Sequence, residues 1–295
     1  MCGIAGFINY KKNQDKTLLE KGLDCITHRG PDDDGIYIRP EFSMGMRRLS
    51  IIDIAHGKQP ISNEDETINV IFNGELYNHL ELRAELIDKG HIFKTNSDTE
   101  VLVHGYEEWG KELPVRLRGM FAFAIHDVVH NILFIARDHF GIKPLYYRMY
   151  EGQIVSFASE IKSILADTTY QREIDMDAVF AYTTLQYSPK TSTFFKTIHK
   201  LNPGHSLTID LHTEAYLFEK YWQFSFLDGR QVDDNYEGKK EQIKDVLTDS
   251  VAHHMIADVP VASFLSSGVD SSIIASLAHA HIQSNNPEAK LKTYT

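Results

Sequence analysis

The sequence has little of several features that define special classes of protein. Only 2 cysteines and 9 prolines occur among 295 residues, too few for a disulfide framework or for a proline-rich or collagen-like chain. No apolar run is long enough to cross a bilayer, and the first residues lack the basic and apolar segments of a signal peptide. We therefore expect a cytoplasmic protein that does not enter a membrane.

Positive charge is also scarce. The chain has 30 Lys and Arg against 41 Asp and Glu, a net charge of −11, which gives no general attraction to nucleic acid or to an anionic membrane. We expect neither as a partner, and any anionic ligand has to be held by a few local groups. What the chain does have is 42% hydrophobic residues over 295 positions, typical of a globular protein of about two domains.

Periodicity divides the chain into two parts. Short apolar runs bounded by turn residues predict strands, and helical spacing over 78–89 and 98–109 predicts helices between them, which together indicate a layered α+β domain. A polar segment over 224–238 is predicted to be a linker. The strands are predicted at GIAGFIN near the start and over 35–39, 68–74, 121–127, 132–138 and 154–160.

After the linker the pattern changes. Apolar residues recur at three and four positions from Ile243 to Met255 and predict a helix, which is followed by a buried strand at VASFL, a Ser/Gly loop and a second helix at IIASLAHA. Strand, loop and helix in this order open an α/β domain. Since the chain stops at the strand-like KTYT, we expect this domain to be truncated. We predict domains at 1–223 and 239–295.

The residue with the clearest chemistry is Cys2. If the initiator Met is removed, one residue supplies a thiol nucleophile and an α-amino base with a pKa of about 7.7–8.0. Taken alone, Cys2 is more simply explained as a small packed side chain that follows the initiator by chance. Lipidation is a weaker alternative, because no signal peptide precedes it. Cys25 has no such arrangement and is predicted to be structural.

Polar residues also interrupt apolar stretches at three places. Arg48 precedes LSIID, Asn73 and Gly74 follow NVIF, and Ser97 with Asp98 precedes a predicted helix. A guanidinium can hold a carboxylate, an aspartate can hold an ammonium group, and an amide with a backbone N–H can form an oxyanion hole. Each also has a plain alternative: a surface charge at Arg48, a hairpin turn at Asn73–Gly74 and a helix cap at Ser97.

In combination, these residues resemble a known family. The sequence is similar to the class II glutamine amidotransferase domain of asparagine synthetases over roughly the first 220 residues, and the similarity continues beyond them. The resemblance implies an α+β N-terminal-nucleophile hydrolase fold, an αββα sandwich with the terminal cysteine at one sheet edge. It rests on MCGIAGF, HRGPD, RRLSIID, FNGELYN, SDTEVL, RGMFAFAIHD, ARDHFGIKPLYY and FASEIKSI.

The resemblance also implies roles for individual residues. Cys2 would attack the side-chain amide of glutamine, with Asn73 and Gly74 stabilising the oxyanion. Arg48 and Asp98 would hold the α-carboxylate and the α-ammonium group of glutamine. The remaining implied contacts to glutamine are Leu49, Ser50, Ile51, Ile52 and Glu75. Arg29 and Gly30 are expected to shape a loop over the site, with a purely structural turn as an equal interpretation.

The Ser/Gly loop over 266–272, SSGVDSS, gives a second site. Backbone N–H groups at a helix start can bind phosphate, and Asp270 can reach Mg²⁺, although an ordinary serine-capped helix explains the loop alone. In context it resembles the SGGxDS pyrophosphate loop of ATP pyrophosphatases, with Ser267 in place of the first glycine. The implied ATP contacts are Phe264, Leu265, Ser266, Ser267, Gly268, Asp270 and Ser271.

The function implied is that of a glutamine-hydrolysing asparagine synthetase. Its first domain would free ammonia from glutamine, and the start of an α/β ATP-pyrophosphatase domain would use ATP and Mg²⁺ to activate aspartate as β-aspartyl-AMP. The family suggests a homodimer. Two alternatives stay open: the same chemistry on another carboxylic acid, and a glutaminase-only or glutamine-binding chain without the synthetase reaction. The 15 histidines lack zinc-site spacing, so we expect them to be solvated or packed.

Overall fold

A computed structural model of the chain describes residues 2–10, 16–225 and 235–295. The chain folds into two compact units, Met1–Gln223 and Phe224–Thr295. Most of the predicted linker over 224–238 lies outside the described residues. Its end does not: a helix already begins at Tyr236, where the Asn235 side chain accepts a hydrogen bond from the N–H of Gly238.

The first unit consists mainly of strands. The strands predicted from apolar runs are present with bounds shifted by a few residues, whereas several others escaped prediction because their residues are more polar or their runs shorter. The strands are β1 Gly3–Ile8, β2 Asp33–Ile38, β3 Phe42–Arg48, β4 Ile61–Ser62, β5 Ile68–Leu76, β6 Gly119–Asp127, β7 Ile132–Arg137, β8 Tyr146–Tyr150, β9 Gln153–Ala158, β10 Ile198–Lys200, β11 His205–Asp210 and β12 Tyr216–Lys220.

Helices cover the outer faces of these strands. The two helices predicted over 78–89 and 98–109 are confirmed, and Ser97 begins the second as its N-cap, accepting a hydrogen bond from the N–H of Thr99. Short helical turns connect several elements. The helices are α1 Lys16–Asp24, α2 His79–Asp88, α3 Asp98–Trp109, α4 Leu113–Arg116, α5 Ile161–Ile164 and α6 Met176–Leu185.

Within the described residues the strands form two six-stranded antiparallel sheets, in the orders β10-β8-β9-β1-β3-β2 and β12-β11-β7-β6-β5-β4. The sheets face each other across a core that includes Ile4 and Met46 from the first sheet and Ile71 and Ile135 from the second. A separate cluster packs α2 and α3 on the second sheet, and another packs α1 on the first. The layers therefore follow the order helix, sheet, sheet, helix.

This layering explains the continuous apolar runs in the sequence. Successive side chains of a strand point to opposite faces, and both faces of the central strands are covered. In β1, Ile4 joins the core between the sheets while Phe7 packs towards α1. In β5, Ile71 faces the other sheet and Phe72 faces α3.

The position of Cys2 differs from the expectation of a sheet edge. Cys2 directly precedes β1, which pairs with β3 on one side and with β9 on the other. The cysteine therefore lies at the end of a central strand, where neighbouring strands and loops surround it. The expectation was wrong because the order of strands depends on tertiary pairing.

The second unit is a small βαβ arrangement. It contains α7 Tyr236–His254, β13 Ala262–Phe264, α8 Val269–Asn285 and β14 Lys292–Tyr294. The two strands pair in parallel, as the predicted order of strand, loop, helix and strand requires. The expected burial of the VASFL strand is wrong in this structure: Phe264 is 86% exposed, because in the described residues only β14 pairs with β13.

None of the helices in the described residues combines the length and apolar character needed to traverse a bilayer.

Candidate active site

The thiol of Cys2 lies against the chain that follows β3. The backbone N–H of Leu49 points to Sγ at 3.4 Å, and Sγ lies 3.6 Å from the Leu49 carbonyl oxygen. Burial raises the pKa of the thiol, and the hydrogen bond from Leu49 acts in the opposite direction. The thiol is thus held beside a backbone donor that stabilises negative charge on sulfur, against the larger opposing effect of burial.

Arg29 fixes the backbone of the same cysteine. Its Nε donates to the carbonyl oxygen of Cys2 at 2.8 Å, and its Nη1 donates to Glu160 at 3.0 Å. Burial opposes ionisation of Glu160, but hydrogen bonds from Lys162, Arg29 and His28 lower its pKa to about 2. The HRGPD motif therefore holds Cys2 in place from within the fold, and the side chain of Arg29 is only 9% exposed.

A pocket opens beside Cys2. Seven of the nine residues implied as glutamine contacts line it, and Ser50 and Asn73 do not. Its walls come from the ends of β3 and β5, from the loop that follows β3 and from the start of α3. The lining residues are Cys2, Arg48, Leu49, Ile51, Ile52, Gln59, Phe72, Gly74, Glu75, Ser97, Asp98 and Thr99.

Arg48 is not a surface charge. Its side chain is 5% exposed, and its Nη2 donates to the carbonyl oxygens of Ile52 at 2.9 Å and Asp53 at 2.8 Å. The Asp53 carboxylate in turn accepts the N–H of Asn96 at 2.7 Å, just before α3. The guanidinium therefore shapes the loop over 49–54 as well as presenting positive charge to the pocket.

The carboxyl groups of Glu75 and Asp98 also line the pocket. Burial raises the pKa of Glu75 to about 8, and the nearby Asp98 adds to the rise. Burial likewise raises the pKa of Asp98, although the N–H of Leu76 donates to its Oδ2 at 3.0 Å and lowers it. A pocket lined by one guanidinium and two carboxyl groups offers partners for both the carboxylate and the ammonium group of an α-amino acid.

Asn73 and Gly74 do not form a hairpin turn. Both lie inside β5, paired with Ala122 and Phe121 of β6. The side chain of Asn73 is fully buried, and its Nδ2 lies 3.4 Å from Oγ of Ser159. A Cβ at Gly74 would lie 2.3 Å from the carbonyl oxygen of Met120, so only glycine fits at this point of the pocket wall.

Sequence reasoning missed several residues of the site. Gln59 is buried and accepts the N–H of Phe72 at 2.7 Å, while its Nε2 donates to Thr99 at 3.1 Å. Lys143 is 3% exposed; burial lowers its pKa, whereas the charges of Glu75 and Cys2 raise it. The available signal for Lys143 was a lysine inside the apolar run GIKPLYY; no local signal marked Gln59.

The predicted nucleotide loop lies at the start of α8. Gly268 is the N-cap residue, and Ser271 Oγ donates to the carbonyl oxygen of Gly268 at 3.0 Å and lies 2.9 Å from Ser266 Oγ. Ser267 lines an open hollow along the helix. Asp270 stands in the first turn of the helix, and a carboxylate oxygen beside hydroxyl groups is a donor set that suits Mg²⁺.

One cluster of histidines goes beyond the expectation of solvated or packed side chains. His91, His104 and Glu107 bring possible metal-ligand atoms within 4.8 Å of one another. Burial opposes the charge on His104, but hydrogen bonds to Glu100 and Glu107 raise its pKa to about 9. The imidazolium of His104 is therefore an ion-pair partner of these carboxylates at neutral pH.

Comparison with known proteins shows which families the chain matches. Residues 1–222 match the glutamine amidotransferase domain family, and residues 242–295 match the asparagine synthase family. The chain belongs to the glutamine amidotransferase domain family. Its fold is that of an N-terminal-nucleophile hydrolase followed by the start of an asparagine synthase domain.

The similar curated proteins carry particular names. Asparagine synthetase [glutamine-hydrolyzing] 1 of Bacillus subtilis is 43% identical over 94% of this chain and 44% of its own length. Asparagine synthetase [glutamine-hydrolyzing] 3 of the same organism is 36% identical over 100% of this chain and 48% of its own length. Amidase chyE of Penicillium rubens is 34% identical over 94% of this chain and 42% of its own length. The chain therefore spans about half the length of the curated relatives it matches.

Solved structures support the fold alone. Glutamine phosphoribosylpyrophosphate amidotransferase from B. subtilis aligns with a TM-score of 0.55 at 19% identity, covering 99% of this chain and 65% of its own. A structure described as the allosteric regulatory enzyme of purine biosynthesis aligns with a TM-score of 0.57 at 18% identity, covering 99% of this chain and 64% of its own.

Proposed function

We propose that this chain is the glutaminase part, with the start of the synthetase part, of a glutamine-hydrolysing asparagine synthetase. The observation that carries the proposal is the pocket, which the thiol of Cys2 lines together with Arg48, Glu75 and Asp98. This charge pattern fits the α-carboxylate and α-ammonium group of glutamine, and the nucleophile stands at the same cavity.

Each of these groups has a role in the first half-reaction, the hydrolysis of glutamine. After removal of Met1, the α-amino group of Cys2 takes the thiol proton, and the thiolate attacks the side-chain amide carbon of glutamine. Asn73 and Gly74 stabilise the oxyanion, each such donor contributing about 3–4 kcal/mol in well-studied hydrolases. The proton passes to the departing ammonia, and water then hydrolyses the glutamyl thioester to glutamate and free Cys2.

The second half-reaction belongs to the asparagine synthase part. Aspartate and ATP give β-aspartyl-AMP and pyrophosphate, and ammonia then displaces AMP to form asparagine. Gly268, Ser271 and the N-terminus of α8 bind phosphate oxygens, and Asp270 holds Mg²⁺. The metal, when bound, neutralises phosphate charge. The domain bounds 1–223 and 239–295, the homodimer and the cytoplasmic location stay predictions.

A change at Cys2 tests the first half. In the full-length protein, Cys2→Ala should abolish glutamate release from glutamine and spare asparagine formation from added ammonia, aspartate and Mg-ATP. The matched control is Cys25→Ala, which removes the other half-buried free thiol and should leave both activities intact. Equal glutamate release by the Cys2 variant would refute the nucleophile assignment.

A change at Asp270 tests the second half. Asp270→Ala should remove ATP-dependent synthesis while glutaminase activity persists, whereas Asp245→Ala on the exposed side of α7 should change neither. Asparagine, AMP and pyrophosphate are measured with and without aspartate. Full asparagine synthesis by the Asp270 variant would contradict the assignment of the loop.

A second candidate is the same chemistry on another carboxylic acid. The similarity to a protein named amidase chyE supports this candidate, because that protein, 34% identical to this chain, is not named an asparagine synthetase. Glutamate release with ATP-dependent amide formation from an acid other than aspartate would select it. Glutamate release without any amide product would select a glutaminase, and the absence of both would leave glutamine binding alone.

A further inference from the structure

Ser159, directly after β9, joins two parts of the site. Its Oγ accepts the N–H of Ile4 at 3.0 Å, and its own N–H donates to the carbonyl oxygen of Ile4 at 2.8 Å. The same Oγ lies 3.4 Å from the side-chain amide of Asn73 on the facing sheet. Ser159 and Asn73 are both fully buried, so these groups depend on each other for hydrogen bonds.

The side-chain amide of Asn73 has two orientations that differ by a half-turn. With Nδ2 towards Ser159, the buried Oδ1 has no hydrogen-bond partner among the described residues, which costs about 1–3 kcal/mol. With Oδ1 towards Ser159, the hydroxyl can accept from Ile4 and donate its hydrogen to Oδ1 at the same 3.4 Å separation. The second orientation pairs Oδ1 with the Ser159 hydroxyl, and the amide group left without a partner among the described residues is then the donor Nδ2 instead of the acceptor Oδ1.

The half-turn also moves Nδ2 to the other side of the amide, with both of its hydrogens free. Residues 71, 73 and 75 alternate onto the face of β5 that looks towards the first sheet, since Ile71 belongs to the core between the sheets. Glu75 on that face lines the pocket with Cys2. The freed donors therefore lie on the same face of β5 as Glu75, one residue before Gly74 of the pocket wall.

We propose that Ser159 is a positioning residue for glutamine hydrolysis: its hydroxyl holds the Asn73 amide in the orientation that presents Nδ2 to the oxyanion. The inference rests on the proposed function, because it assigns a task to Asn73 only if Cys2 hydrolyses an amide. Ser159 itself does not touch the substrate.

Kinetics on the full-length protein test this role. Ser159→Ala should lower kcat for glutamine hydrolysis about 10-fold and change KM for glutamine less than about twofold, since the oxyanion develops only in the transition state. Asn73→Ala should lower kcat about 10²–10³-fold. The double variant should be no slower than Asn73→Ala alone, because the hydroxyl acts through the amide.

Three further measurements separate this role from a structural one. Alkylation of Cys2 by iodoacetamide forms no oxyanion, so its rate should be unchanged in Ser159→Ala. Ser163 is another fully buried serine, whose Oγ hydrogen-bonds to the carbonyl oxygen of Gly22. Ser163→Ala should therefore lower stability and leave kcat unchanged. Ser159→Thr, which retains the hydroxyl, should recover most of the lost kcat.

The results that would overturn the role of Ser159 differ from those that would overturn the proposed function. An unchanged kcat in Ser159→Ala, or a double variant slower than Asn73→Ala by the full 10-fold, would overturn the positioning role alone. Alkylation slowed as much as hydrolysis would also overturn it, because the hydroxyl would then act on Cys2 through β1. A wild-type protein without glutaminase activity would overturn the proposed function and, with it, this role.

Discussion

The side chain of Arg48 both holds the loop that follows β3 and brings positive charge to the pocket. Its guanidinium donates to the carbonyl oxygens of Ile52 and Asp53 while lining the pocket. A lysine keeps the positive charge but has no planar fork of donors to hold this loop.

We therefore expect Arg48→Lys to raise KM for glutamine about 10-fold or more and to lower the free energy of unfolding by about 1–3 kcal/mol. Steady-state kinetics and urea denaturation measure the two effects. The matched control is Arg47→Lys, which changes a neighbouring arginine paired with the exposed Asp24. A KM equal to that of the wild type would contradict the role of Arg48 in the pocket.

Glu75 links the pocket to the pH dependence of stability. Its pKa is about 8 in the folded chain against 4.5 as a free group, so between these values the folded state holds a proton that the unfolded state has released. Stability consequently falls as pH rises through this window.

Glu75→Gln mimics the protonated group and removes this loss. We expect the variant and the wild type to be similarly stable near pH 5, and the variant to be more stable by about 3–4 kcal/mol at pH 8. Urea denaturation at both pH values measures the difference, with Glu20→Gln on the exposed side of α1 as control. A difference that does not grow with pH would contradict the assignment.

At the scale of elements, one aspartate organises the turn between β7 and β8. Asp138 is 1% exposed, and its carboxylate accepts the backbone N–H groups of Phe140 at 3.1 Å, Ile142 at 2.9 Å and Lys143 at 2.9 Å. The guanidinium of Arg137 holds the carbonyl oxygens of the same turn. The turn delivers Lys143 to the site.

Asp138→Ala removes the acceptor of the buried N–H of Lys143 and of the partly buried N–H groups of Phe140 and Ile142. We expect a loss of about 3–5 kcal/mol in the free energy of unfolding, seen as a lower urea midpoint. Asp210→Ala provides a matched control, since its carboxylate accepts two backbone N–H groups in a partly exposed turn and should cost about 1 kcal/mol. Equal losses in the two variants would show that burial of the turn is not the cause.

At the scale of the whole molecule, the core between the sheets contains a titrating group. His126 is 3% exposed, packs edge-on against Phe42 with ring centroids 4.7 Å apart, and contacts the hydroxyl of Tyr37 at 3.0 Å. Burial, followed by the charge of Arg39, lowers its pKa to about 4. The folded state therefore excludes a proton that the unfolded state binds below pH 6.5.

Stability should fall as pH drops from 6.5 towards 4 for this reason. Between pH 7 and pH 4.5, we expect the free energy of unfolding of His126→Phe to fall by about 2 kcal/mol less than that of the wild type. Urea denaturation at the two pH values measures this difference. Equal acid losses in both proteins would locate the acid sensitivity in other groups.

Much of this molecule could be predicted from local sequence. Buried apolar strands such as β5, β6 and β7 are visible because both of their faces are covered, and the helix over 98–109 is visible from its cap and spacing. The charged members of the pocket, Arg48, Glu75 and Asp98, stood out because polar residues interrupt apolar stretches. Strands such as β3 and β12 were missed because their own residues carry no clear period.

The sequence by itself determined the layered fold, the cysteine at position two and the charged residues of the pocket, because these depend on residue type and local spacing. Tertiary structure decided the rest. It put Cys2 at the end of a central strand, brought Gln59 and Lys143 to the site, and placed the Ser159 hydroxyl against Asn73. Such contacts join residues tens of positions apart, and only the packing of one sheet on the other fixes them.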